Sequence, residues 1–250
     1  MAYWGEALTY NHPLWGEWDD AAARAALERL APTPAARRAK APTERERLYL
    51  DAVEALWAPG PKPARDTAYS EALAELVRAF PDDQEAKAFY ALSLLGLSGT
   101  TRTFASYMRA AAVPAEVFRA NPTHPGGAHY LIHSFDDPIH APLGLPAARA
   151  YSRIAPDAAH AQHMTTHIFL ALGMWDEVVS QNEVAAGLTG WGPGHYTAWL
   201  EYGLLQQGRF ADARAHLERI PTTPATTCFP ATAPLPSSAA SGNHSRWCWC

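Results

Sequence analysis

Seven of the chain's 11 histidines fall between Asn121 and Trp175: His124, His129, His133, His140, His160, His163 and His167. Imidazole can donate or accept a hydrogen bond, ligate a transition metal and change charge near neutral pH. His129 and His133 are four residues apart, and His160, His163 and His167 follow at intervals of three and four. On a helix each set shares one face. If neighbouring hairpins aim those faces into one groove, His129, His133, His163 and His167 make a metal site for a divalent transition ion, Zn, Fe or Cu. Asp137, four beyond His133, is the carboxylate expected to join them, although Pro138 ends the helix there. The same groove, with Tyr130, Phe135, Asp136, His140 and His160 as its contact set, would instead hold a peptide, a protein segment or a small ligand. The plainest alternative keeps the histidines structural, bonded to nearby carboxylates and backbone.

Other chemistry finds little support. The four-spaced pair reads His-Tyr-Leu-Ile-His. No glutamate lies inside it to act as the base of an H-E-x-x-H hydrolase, so such a mechanism would borrow one from elsewhere, such as Glu6 or Glu177. There is no G-x-S-x-G elbow, and no cysteine lies near the histidines. Gly126-Gly127 falls short of a phosphate loop and reads as a helix entry. Cys228, Cys248 and Cys250 sit at the C-terminal end, the last two as C-x-C rather than a paired zinc motif. Twenty basic against 25 acidic residues, a net charge of -5 with no basic run, argues against nucleic acid. No apolar stretch reaches the ~18 residues of a membrane span. The N-terminus shows no signal-peptide pattern, which makes the cytoplasm the default expectation.

Helices must position these residues. The spacing predicts one from Tyr3 to Asn11, stopped by Pro13, and the abrupt start reads as a hairpin whose earlier helices lie outside the sequence. A partner follows over DDAAARAALERLA, then a broken connection at Pro32, Pro34 and Pro42. Thr43-Glu44-Arg45-Glu46 matches a capping box and opens a helix through Trp57. PGPKP at 59–63 reads as a linker. AYSEALAELVRAF ends at Pro81, EAKAFYALSLLGL ends around Gly99, and FASYMRAAAVPAEVFRA is expected to kink or split at Pro114. Helices are expected near 125–136, 145–155, 157–172, 174–187, 195–207 and 209–219, with no strand. Trp4, Trp57, Trp175 and Trp199 read as core.

The pattern repeats. Gly173-Met-Trp175 and Gly208-Arg-Phe210 are the same turn 35 residues apart, and Pro122 and Pro156 are 34 apart. Within GHYTAWLEYGLLQQGRFADARAHLERIP, Leu200, Gly208, Phe210, Ala213 and Leu217 stand at repeat-consensus positions. The chain therefore resembles a tetratricopeptide repeat protein, and the block from HPGGAHYLIHSFDDPIHAP to HAQHMTTHIF is similar to a bacterial subgroup of such proteins. The preceding unit keeps Gly173 and Trp175 but places Val178 and Asn182 where the consensus wants small and aromatic residues. The resemblance implies an all-α solenoid of antiparallel helix pairs in a right-handed superhelix over residues 1–221. First helices would line a concave surface that recognises a partner. Residues 222–250, rich in Thr, Ala, Ser and Pro, are expected to be disordered. The reading is thus a binding scaffold with a histidine-lined groove, with a metal-dependent enzyme in the same groove as the alternative.

Overall fold

The computed structural model describes residues 1–98 and 103–220; the expectation of a disordered tail lies outside them. Among the described residues there are 13 helices, and the chain divides into two compact units, Met1–Ile154 and Ala155 onward.

The first unit holds α1 (Ala2–Leu8), α2 (Asp20–Leu30), α3 (Pro34–Ala39), α4 (Glu44–Leu56), α5 (Lys62–Ala79), α6 (Gln84–Gly96), α7 (Phe104–Ala120), α8 (Pro125–Phe135) and α9 (Ala141–Ile154). Helix starts follow the side chains written into the sequence. Thr43 accepts from the Glu46 N–H while Glu46 reaches back to the Thr43 N–H, the expected capping box. Asp19, Asp83 and Thr103 cap α2, α6 and α7 in the same way. Tyr49, Val53, Leu56, Leu73 and Leu76 fill the core between α4 and α5. Trp4 meets Tyr49 and Phe89 edge-on at 5.0 and 5.1 Å, and Trp57 is buried, as expected of both.

Four expectations are corrected here. A short antiparallel ladder pairs β1 (Asn11–His12) with β2 (Glu17–Trp18), where no strand was expected and where the first helix was expected to run on to Asn11; α1 ends at Leu8 instead, and Gly16 at φ 69° lets the chain reverse. The broken connection at 31–43 contains α3, because Thr33 accepts from the Ala36 N–H and Pro34 suits the first helical turn. Its Arg37 is buried, paired with Glu54 and donating to the Ala31 carbonyl at 2.8 Å. Pro114 does not split α7, which stays continuous from Phe104 to Ala120 with Pro114 among its buried residues. α9 begins at Ala141 and passes Pro146, since Asp137 accepts from the N–H groups of Ile139 and His140 and starts the turn early.

Among the described residues the second unit holds two hairpins, α10 (Ala159–Ala171) with α11 (Trp175–Leu188), and α12 (His195–Gln206) with α13 (Phe210–Arg219). Gly173 at φ 69° and Gly208 at φ 70° turn the two hairpins identically, in the left-handed conformation that only glycine adopts without strain. Val179, Leu200, Leu204 and Ala213 form the core, with Trp191 against it. A Cβ at Gly203 would lie 3.0 Å from Val179 Cγ2 and 3.1 Å from Val178 Cγ1, so glycine is what lets α12 approach α11 this closely.

Candidate functional site

In the first unit, His129 and His133 project from α8 with their Nε2 atoms 3.1 Å apart. The His129 ring is stacked between Tyr130, at 5.3 Å, and Tyr151, at 5.2 Å. Burial pushes both phenols up, to about 12. Phe135 belongs to the core, while Asp136 follows it as the C-cap. Asp137 spends its carboxylate on the loop: it accepts from two N–H groups and lies 2.9 Å from His140 Nδ1. Burial alone would raise its pKa, and those bonds outweigh it and hold the carboxyl below its ordinary value. His124 closes the start of α8, its Nδ1 accepting the Gly127 N–H at 3.2 Å. Gly127 lies where a Cβ would press Val117 at 3.1 Å, so the Gly126-Gly127 step is a helix entry, as expected. A cleft of about 620 Å³ elsewhere in this unit is lined by Arg45, Asp83, Glu85 and His124. There Asp83 is already engaged by Arg45, Tyr49 and the Ala86 N–H.

The second unit repeats the histidine pair. His163 and His167 stand 34 residues after His129 and His133, and their Nε2 atoms are again 3.1 Å apart. The setting is drier, because His163 is only 1% exposed in the middle of α10. α10 is held at its start by Gln162, which donates to the carbonyls of Ala155 and Pro156.

A residue the sequence reasoning missed completes the group. His195 opens α12 and brings its ring 4.2 Å from that of His163. Thr197 sets that opening: its hydroxyl accepts from the Gly194 N–H at 3.0 Å and donates to the Gly194 carbonyl. His163, His167 and His195 each offer a ring nitrogen, and the three lie within 4.8 Å of one another. Trp199, one turn along α12, covers them with ring separations of 4.9, 4.6 and 5.5 Å; it is half-buried in this wall rather than in the core. Tyr196 closes the side at 5.1 Å from His163. His160, one turn before His163, is half-buried. The signal that could have found His195 is the repeat itself, since it lies 32 residues after His163, close to one unit length.

Beneath the ring sits Asn182 of α11, wholly buried, its Oδ1 2.8 Å from His163 Nδ1. Asn182 Nδ2 donates to the Val178 carbonyl at 2.9 Å and to Thr166 Oγ1 at 3.3 Å. Thr166 in turn donates to the His163 carbonyl.

Burial, reinforced by the neighbouring His167, pushes the His163 imidazole down to about 2 against the opposing pull of the Asn182 hydrogen bond. His195 is lowered to about 4 by burial and then by His167 and His160, and His160 is lowered by burial and then by His167. Burial thus favours the neutral form of all three rings. The expected metal set drew His129, His133 and Asp137 from the first unit and His163 and His167 from the second, and each half is described within its own unit.

Among the described residues no helix is long and apolar enough to cross a membrane. No protein-family model matches the chain, and no curated protein matches it. Among solved structures the chain is similar to MamA 41-end from Desulfovibrio magneticus RS-1, with a TM-score of 0.57 and 18% identity over 71% of this chain and 94% of that one. It is similar also to the MamA RS-1 ArsTM double mutant, with a TM-score of 0.58 and 17% identity over 71% and 93%. At this identity the likeness shows the fold alone, and with the two matching glycine turns it makes this chain an α-helical repeat of the tetratricopeptide type.

Proposed function

We propose that the chain is a repeat-type binding protein whose first helices present a histidine- and aromatic-lined surface to a peptide or a small acidic ligand. The observation that carries this reading is the wall formed in the second unit by His160, His167, His195, Tyr196 and Trp199, all of them half-buried. Rings that are packed on one side and open on the other supply contact area at low cost in conformational entropy. Neutral imidazoles beside them can donate to a carboxylate or accept from an amide. In the first unit, Tyr130, Asp136 and His140 are the corresponding contact residues.

Selection of binders from a random-peptide display library, followed by titration of the winning peptide, tests the proposal. Trp199→Ala is expected to weaken that peptide by at least about 10-fold, the effect of losing one aromatic anchor. A library that yields no binder, or a peptide that binds Trp199→Ala as tightly as the wild type, overturns it.

A further inference from the structure

The orientation of one buried amide decides what the three histidines can do. The Val178 carbonyl can only accept, so the Asn182 group 2.9 Å from it is the NH2. Asn182 Oδ1 therefore faces His163, and Nδ1 of that ring must carry the hydrogen it donates across 2.8 Å. His163 Nε2 is then the acceptor nitrogen, deep in the protein, facing His167 Nε2 3.1 Å away. A buried hydrogen-bond partner that fixes the tautomer of an imidazole is what metal-ligating histidines characteristically have.

We infer that His163, His167 and His195 form a binding site for a divalent first-row transition-metal ion, with Asn182 as the residue that holds His163 in the ligating tautomer. The dimensions suit it. Imidazole nitrogens about 2.0–2.1 Å from a tetrahedral zinc lie about 3.3 Å from one another. The His163–His167 pair already has nearly that edge, and all three nitrogens fall within 4.8 Å, a gap that rotation of the half-buried His195 ring can close. When the ion enters it replaces the hydrogen shared by the two Nε2 atoms, and His167 passes to its Nδ1–H tautomer. Three neutral ligands leave the ion its full charge and an open fourth position, which would take water or an anionic group. This inference does not rest on peptide recognition: a peptide-binding wall with no ion, or an ion site with no peptide, are both self-consistent outcomes.

The test uses the full chain, purified without a metal-affinity tag, stripped with chelator, and with its three cysteines alkylated. Zn2+ is titrated in competition with a chromophoric chelator at pH 7.4. One equivalent is expected in the wild type, and stoichiometric binding should be lost in both His167→Ala and His195→Ala. These half-buried positions are preferred to His163 because truncating them opens no sealed cavity, and circular dichroism confirms the fold of each. Asn182→Leu retains all three ligands and should weaken Zn2+ by about 10- to 100-fold, the usual effect of removing such a support. Absence of stoichiometric binding in the wild type, or an unchanged equivalent in His167→Ala and His195→Ala, overturns the site. Zn2+ affinity in folded Asn182→Leu equal to that of the wild type overturns the role of the amide.

Discussion

His163 is a buried polar ring held by a single amide partner, Asn182, and burial governs its protonation. Its pKa falls to about 2 and that of His195 to about 4, against an ordinary value near 6.5 in the unfolded chain. Between those limits the unfolded state takes up protons that the folded state refuses. Stability is therefore complete above about pH 6.5 and is lost as the pH falls, chiefly through the deeply buried His163 and to a smaller extent through the half-exposed, solvent-screened His195. Urea denaturation of the metal-free protein from pH 7 to 4.5 should show this loss, with His195→Gln reducing its slope. A midpoint independent of pH would contradict the burial seen here. At this scale the spacing of His129, His133, His163 and His167 was legible, because four residues on a helix place two rings on one face. His195 was not, since it enters from the next hairpin. Asn182 was noticed only as a departure from the repeat consensus, and that departure is where the support for His163 resides.

Helices bring these residues together through a few close approaches. Gly203 lets α12 lie against Val178 and Val179, and α12 carries both His195 and Trp199. Gly203→Ala forces a methyl into contacts of 3.0–3.1 Å and should cost about 1–3 kcal/mol, the range for overpacking a well-filled site. It should also displace His195, so that Zn2+ affinity falls although no ligand has been changed. A variant with wild-type stability and wild-type affinity would show that α12 has room to spare. The cap at Thr43 was readable because it is a local hydrogen bond between a side chain and an N–H three residues on, and Asp19 and Asp83, not read as caps, make the same bond. The unexpected α3 and the continuous α7 were not readable, because Pro34 falls in the first turn of α3, where proline is tolerated, and Pro114 sits buried inside α7 without ending it.

Across the whole molecule, repeats that touch only their neighbours localise the effect of damage. Arg37 is buried in the first unit against Glu54 and the Ala31 carbonyl. Removing it with Arg37→Ala strands a carboxylate and an acceptor and should cost about 3 kcal/mol, measured by chemical denaturation. The Zn2+ affinity of the second unit should stay within about twofold of wild type, the tolerance expected of distant, independent sites. A large parallel loss of both would mean that the chain behaves as a single cooperative body. The repeat architecture itself was plain in the matching glycine turns at 173 and 208, because glycine takes a left-handed turn at no steric cost.

The bond from His163 to Asn182 crosses from the first helix of a hairpin to the second, and it ties the histories of two positions 19 residues apart. An amide changed at 182 alone strands a ring that has lost its counterpart, and a ring changed at 163 alone strands the amide. Descendants of this chain should therefore alter the two together or keep both, inheriting them as one trait.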